Sequence, residues 1–152
     1  DKKLAIEQLN ALGITSLQEA SVPLAISPSM LDAYRDLDRS GELTARVVTS
    51  LTWDPEKGDE QIEDFVRARR EYTQGRLRAH TVKIFQDGVV ESKTAALLEP
   101  YLGADGGTGM SLVEPEALKR IVTQLDAQGF QLHFHAIGDA ARTKTTMDRI
   151  AG

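Results

Sequence analysis

A chain of 152 residues, 41% hydrophobic and 27% charged, has the length of one domain and the composition of an ordinary folded protein rather than a disordered or fibrous one. Residues 1–76 carry ten basic against fourteen acidic side chains and residues 77–152 eight against nine, for a net charge of −5, so neither half offers the basic face that nucleic acid requires. The absence of cysteine excludes disulfide scaffolds, Cys-ligated zinc, iron–sulfur centres and thiolate catalysis, which leaves His, carboxylate or a modified side chain to hold any metal. No apolar run is long enough to span a membrane. The chain opens on Asp1 with no basic, apolar leader, which suits a processed protein, an excised piece or a fragment equally; the compartment stays open, the cytoplasm slightly favoured.

The elements follow one grammar. Leu4, Ala5, Leu9 and Leu12 recur at helical spacing from Lys2 to Leu12, Gly13 supplies a position that tolerates positive φ, and a strand begins over Ile14–Leu17. Ser29 and Asp32 have capping-box-like spacing ahead of Leu31, Tyr34 and Leu37; Gly41 breaks that helix, and Thr44–Leu51 read as a strand rich in β-branched residues. Asp59 is placed to cap a helix carrying Ile62, Phe65, Val66 and Tyr72, which Gly75 ends before a strand over Thr81–Phe85. Pro115 suits the first turn of a helix with Leu118, Ile121, Val122 and Leu125 on one stripe; Gly129 ends it, Phe130–His135 follow as a strand, and a last helix follows Asp139.

Strand starts at residues 14, 44, 81 and 130 are separated by helices, which predicts an α/β domain over residues 1–152 with parallel strands and right-handed crossovers. The longest interval holds the glycine-rich segment 101–109, read as a mobile loop. A phosphate cradle is the weaker reading, because Glu99-Pro100 precedes it rather than a strand.

In parallel α/β proteins chemistry collects at the carboxyl ends of strands. Two such ends stand out. In the last strand Gln131, His133 and His135 share one face and Leu132 and Phe134 the other, so two imidazoles at i and i+2 are either metal ligands or hydrogen-bonded interior histidines. Lys83 interrupts an apolar strand between Val82 and Ile84, where burial lowers a lysine's pKa and frees a nucleophilic amine able to add carbon dioxide; the competing reading is a salt bridge to Asp87 or Glu19. His80 reads as structural or solvated, Asp87-Gly88 as a turn, Asp139 as a helix cap, and Trp53 as a possible pocket wall. Ser92 and Lys93 lack a base partner, which argues against a serine hydrolase.

Residues 82–88 (Val-Lys-Ile-Phe-Gln-Asp-Gly), continued by 91–101, and residues 133–139 (His-Phe-His-Ala-Ile-Gly-Asp) resemble the amidohydrolase superfamily, specifically its YtcJ-like, amidohydrolase-3 branch; residues 13–19 and 41–47 fit it too. The resemblance implies a partial (β/α)8 barrel holding the segments like strands 2 to 5, and a divalent metal, zinc being the first choice. It matches Lys83 to a lysine that is carbamylated in many members and His135 to a histidine ligand. His133, Asp87 and Asp139 fall to supporting or substrate-contacting positions. The implied reaction is hydrolysis of a C–N bond, amide or formamide in type, by a metal-activated water, with a small-molecule amide as substrate and neither nucleic acid nor membrane as partner.

The family's His-x-His on strand 1, its strand-6 histidine and its strand-8 aspartate have no counterpart in the sequence. Two ligands fall short of the three or four a catalytic zinc takes from protein, so this chain alone is expected to bind metal weakly if at all and not to turn over. The alternative is a catalytically silent α/β domain serving assembly or ligand binding. A flavodoxin-like sheet predicts similar strands but leaves Lys83 and the histidine pair unexplained. A closed barrel needs about 250 residues, and open strand edges predict self-association, two half barrels completing one another.

Overall fold

The computed structural model describes residues 2–25, 27–103 and 106–141. Helices α1 (Lys2–Ala11), α2 (Pro28–Arg39), α3 (Gln61–Tyr72) and α4 (Pro115–Ala127) alternate with strands β1 (Ser16–Val22), β2 (Arg46–Thr52), β3 (Leu77–Phe85) and β4 (Gln131–His135). The strands are parallel and ordered β1-β2-β3-β4 in one sheet, as the helix–strand grammar predicts. By its contacts the chain divides into two compact units, Asp1–Lys83 and Ile84–Gly152, and the end of β3 passes from the first into the second.

In the first unit the core is built by Val47, Leu51, Leu77, Val82 and Leu31, all fully buried, with Trp53 packed against Phe65 at 6.1 Å between ring centroids. Trp53 is therefore a core residue rather than a pocket wall. The stripe expected on α1 is not its packing face: Ile6 is buried, whereas Leu4 and Leu12 are exposed. β3 begins at Leu77 rather than Thr81. Leu77 and Ala79 point inward and Arg78 outward, a period-two alternation that a search for continuous apolar runs passes over, and His80, which directly precedes the expected strand, becomes its fourth residue.

Two expected caps are displaced. α2 starts at Pro28 behind Ser27, and Asp32, expected to close a capping box, instead pairs with Arg35 and accepts the Tyr72 hydroxyl at 3.0 Å. α3 starts after Glu60, with no side-chain cap bond; the work falls to buried Gln61, whose Oε1 accepts from the Asp54 amide while its Nε2 donates to the carbonyls of Asp54 and Gly58. In the second unit Pro115 does open α4, capped by Glu114 through the amides of Glu116 and Ala117, and Gly129 leaves the helix at φ 75°. Residues 139–141 are helical, and the remainder of the helix expected after Asp139 lies outside the described residues.

Burial, reinforced by the hydrogen bond to Asp32, pushes the Tyr72 phenol from 10.0 up to about 12. The folded state thus holds a proton that the unfolded state has lost between these two values, so this contribution to stability is complete below pH 10 and is lost as the pH rises toward 12. Urea unfolding across that window should show a shallower decline in Tyr72→Phe than in the wild type; an unchanged slope would remove Tyr72 from the alkaline transition.

Candidate functional site

The register between β2 and β3 decides which side chains accompany Lys83. Val47 pairs with Leu77, but a shift between Val48 and Ser50 inserts an extra β3 residue, after which Ser50 pairs with Thr81 and Thr52 with Lys83. Side chains of paired residues share a face, so the face bearing Lys83 carries Thr81, Ser50 and Thr52, while Leu51 and Val82 occupy the other. Gln18 of β1 extends this polar stripe by donating to Ser50 Oγ at 2.9 Å, and the Ser21 and Thr52 hydroxyls lie 2.9 Å apart.

The Lys83 residue is only 6% exposed, and its backbone is pinned where its carbonyl accepts from the Trp53 amide at 2.8 Å. Burial lowers the pKa of its amine, raising the neutral, nucleophilic fraction at a given pH. Glu19, one of the two partners the sequence suggests for it, is engaged by Lys2 Nζ at 2.6 Å and by the Tyr34 hydroxyl at 2.9 Å.

His135, Asp87, Asp139 and His133 all belong to the second unit. The His135 Nε2 lies 2.9 Å from the Gly88 carbonyl, with the ring tilted against Phe85 at 5.3 Å between centroids. A carbonyl only accepts, so Nε2 carries the hydrogen and the neutral ring keeps its lone pair on Nδ1, the state a metal ligand needs. His133 is half-buried on β4.

Asp87, 1% exposed, does more than make a turn: Oδ1 accepts from the amide of Ile137, and Oδ2 from those of Ala96 and Gly138, at 2.8 to 3.0 Å. One carboxylate therefore joins the segment after β3 to the segment after His135. Asp139 accepts from the amides of Ala140 and Leu98, adding a second tie between the same segments. Gly138 lies so close to Ala96 that a Cβ there would collide with its backbone.

The glycine-rich segment is anchored rather than hanging free at its described positions: Tyr101 donates from its amide to Gly107 and from its hydroxyl to Ala95, and Leu97 donates to Thr108. Gln86, which sequence reasoning missed, is fully buried and donates from Nε2 to Ser111 Oγ and the Val113 carbonyl, holding the far end of the loop. Its signal in the sequence is an amide directly following a strand, too common to single out.

Taken singly, each side chain has chemistry that a divalent metal accepts: His135 an imidazole nitrogen, and Lys83 a desolvated amine convertible to an anionic oxygen donor. Among the described residues no three His, Asp or Glu side chains group as a ligand cluster. The model of the amidohydrolase family matches residues 3–152. The chain belongs to the amidohydrolase family.

It is 26% identical over 138 residues to the exoenzymes regulatory protein AepA of Pectobacterium carotovorum subsp. carotovorum, covering 90% of this chain and 29% of AepA. It is 36% identical over 63 residues to YtcJ of Bacillus subtilis (strain 168), named as an amidohydrolase, covering 41% of this chain and 12% of YtcJ. The fold is similar to that of an uncharacterized metal-dependent hydrolase from Pyrococcus horikoshii OT3, with a TM-score of 0.74, 29% identity, and coverage of 98% of this chain and 29% of that one. The chain thus spans under a third of the length of these relatives. Among the described residues no helix is long and apolar enough to cross a membrane.

The Asp87 network gives a direct test. Asp87→Ala leaves three amides without their acceptor, at about 1–3 kcal/mol for each that stays dry, and should destabilise the protein by roughly 3 kcal/mol or more. Asp87→Asn keeps one acceptor oxygen but turns an NH2 toward an amide, and should fall between wild type and Ala. Equal melting temperatures for all three proteins would dissolve the proposed hub.

Proposed function

We propose that this chain supplies part of the metal site of a hydrolase acting on a C–N bond, amide or formamide in type, with Lys83 and His135 as its metal ligands. The observation that carries the reading is the state of Lys83, a nearly buried lysine at the carboxyl end of a parallel strand on a face lined by Ser50, Thr52 and Thr81. In its neutral form Nζ adds carbon dioxide: the nitrogen lone pair makes the N–C bond, a proton is released, and the carbamate presents anionic oxygens. His135 contributes Nδ1, held in orientation by the Gly88 carbonyl.

A divalent metal, zinc being the first choice, supplies Lewis acidity that polarises a scissile carbonyl and lowers the pKa of water. The hydroxyls of Ser50 and Thr52 and the amide of Gln18 give the neighbouring surface hydrogen-bonding groups suited to a polar small molecule. Remaining ligands and the proton shuttle come from sequence outside this chain, and the 152 residues alone do not turn over. β1 and β4 lie at the sheet edges, and two copies associate through such open elements.

Three measurements test the reading. Carbon-13 bicarbonate should give a carbamate resonance in the wild type that is missing from Lys83→Arg of unchanged circular dichroism; its absence from the wild type at alkaline pH would count against a modified lysine. Zinc titration of the isolated chain should show weak binding at best, whereas sub-micromolar binding abolished by His135→Ala would mean that the ligand set is already complete. The zinc-loaded complete protein should hydrolyse members of an N-acyl and N-formyl amine panel and lose that activity in Lys83→Met and His135→Ala, and hydrolysis insensitive to both substitutions would refute their assignment.

A further inference from the structure

A second feature of the first unit lies at the other end of its strands. Ser16 opens β1, Arg46 opens β2, and Gly75 and Arg76 lead into Leu77 and Arg78 of β3. These amino-terminal ends surround a cavity of about 360 Å3 lined by Arg46, Arg76 and Arg78, with the half-buried Leu17 and Val48 as its accessible apolar wall. The volume is that of a small-molecule pocket.

The charge around it is unbalanced. None of the three guanidiniums has a carboxylate within ion-pair distance among the described residues, in a chain with 23 acidic side chains against 18 basic. Arg35 is surrounded by contrast, with Asp32, Asp36 and Glu71 all within 3.5 Å. No carboxylate lines the cavity, and Asp38 beside it is turned to the backbone, its Oδ1 accepting from the Arg76 amide at 2.8 Å. Three like charges around one space repel each other, and an anion between them relieves that cost.

Arg78 is also held for such a role. Its Nη1 donates to the carbonyls of Gly75 and Leu77, both at 2.8 Å, which fixes the guanidinium plane at the cavity edge. Its Nε and Nη2 make no hydrogen bond among the described residues. A planar fork fixed on one side and open on the other is suited to two parallel bonds with an oxyanion.

We propose that this cavity binds a small organic dianion, its oxyanion head held by Arg46, Arg76 and Arg78 and its apolar body lying on the half-buried Leu17 and Val48. The site is independent of the metal reading, since it sits at the amino-terminal ends of the strands whereas Lys83 sits near the carboxyl end of β3. It assigns the chain a binding function that would persist if Lys83 carried no carbamate.

The test is calorimetric titration of the 152-residue chain with phenyl phosphate, inorganic phosphate and benzoate. Phenyl phosphate should bind with a Kd below about 1 mM, more tightly than inorganic phosphate, which lacks the apolar body, and than benzoate, which carries one charge. Binding should weaken as salt is raised. Arg46→Ala and Arg76→Ala alter exposed residues and should each reduce affinity about tenfold without shifting the melting temperature. Arg46→Lys with Arg76→Lys, which keeps the charge but loses the fork, should also bind more weakly, and this separates a recognition site from general attraction. Absence of phenyl phosphate binding up to about 10 mM, or affinity unchanged in both alanine variants, would overturn the proposal.

Discussion

The placing of Lys83 rests on a single irregularity in the pairing of β2 with β3. A strand alternates its side chains with period two, so a register that continued unbroken from Val47 opposite Leu77 would turn Thr81 and Lys83 to the apolar face, beside Leu51. The extra β3 residue between Val48 and Ser50 reverses the parity. A lysine at this position is tolerable because its face is already polar, with Ser50 and Thr52 in register and Gln18 bonded across the strands. Burial without a polar face would be a large cost for the amine, and a polar face without burial would leave it an ordinary surface lysine.

Beyond β3 the constraint changes from register to hydrogen bonding. The described residues from Gln86 to Val113 form no helix or strand, yet their backbone groups need partners. Buried side chains provide them: Asp87 for the amides of Ala96, Ile137 and Gly138, and Gln86 for the carbonyl of Val113. The same turn that buries Asp87 sends the Gly88 carbonyl to His135 Nε2, so the anchoring of the loop and the tautomer of the histidine have one origin. This coupling gives a physical reason for an Asp-Gly pair to follow the strand.

The sequence is legible where a residue's local chemistry agrees with its tertiary role. Gly129 and Pro115 mark helix ends by backbone restriction alone, and the alternation of helices and strands carries the parallel order with it. Legibility fails where a long-range partner decides. Asp32 has the spacing of a capping residue, but Tyr72, forty residues on, takes its carboxylate, and the stripe on α1 is regular in the sequence yet leaves Leu4 and Leu12 exposed. The polar stripe beside Lys83 was hidden for the same reason, since Ser50 and Thr52 read as ordinary strand residues until the register shift sets them opposite Thr81 and Lys83. Asp87 was visible as a residue but not as a hub, because its three donors lie nine to fifty-one positions away.

β3 carries two cationic side chains in the first unit, and their environments separate two kinds of chemistry. Arg78, exposed at the start of the strand, has a guanidinium that stays charged, and backbone carbonyls orient rather than neutralise it. Lys83, five positions later and buried, has an ammonium whose charge burial disfavours. Exchanging the residues would defeat both sites: a lysine in place of Arg78 has no rigid fork to present to an oxyanion, and an arginine in place of Lys83 cannot become a neutral nucleophile. The choice of cation at each end of one strand therefore follows from what the surroundings ask of it, permanent charge at the solvent end and removable charge in the interior.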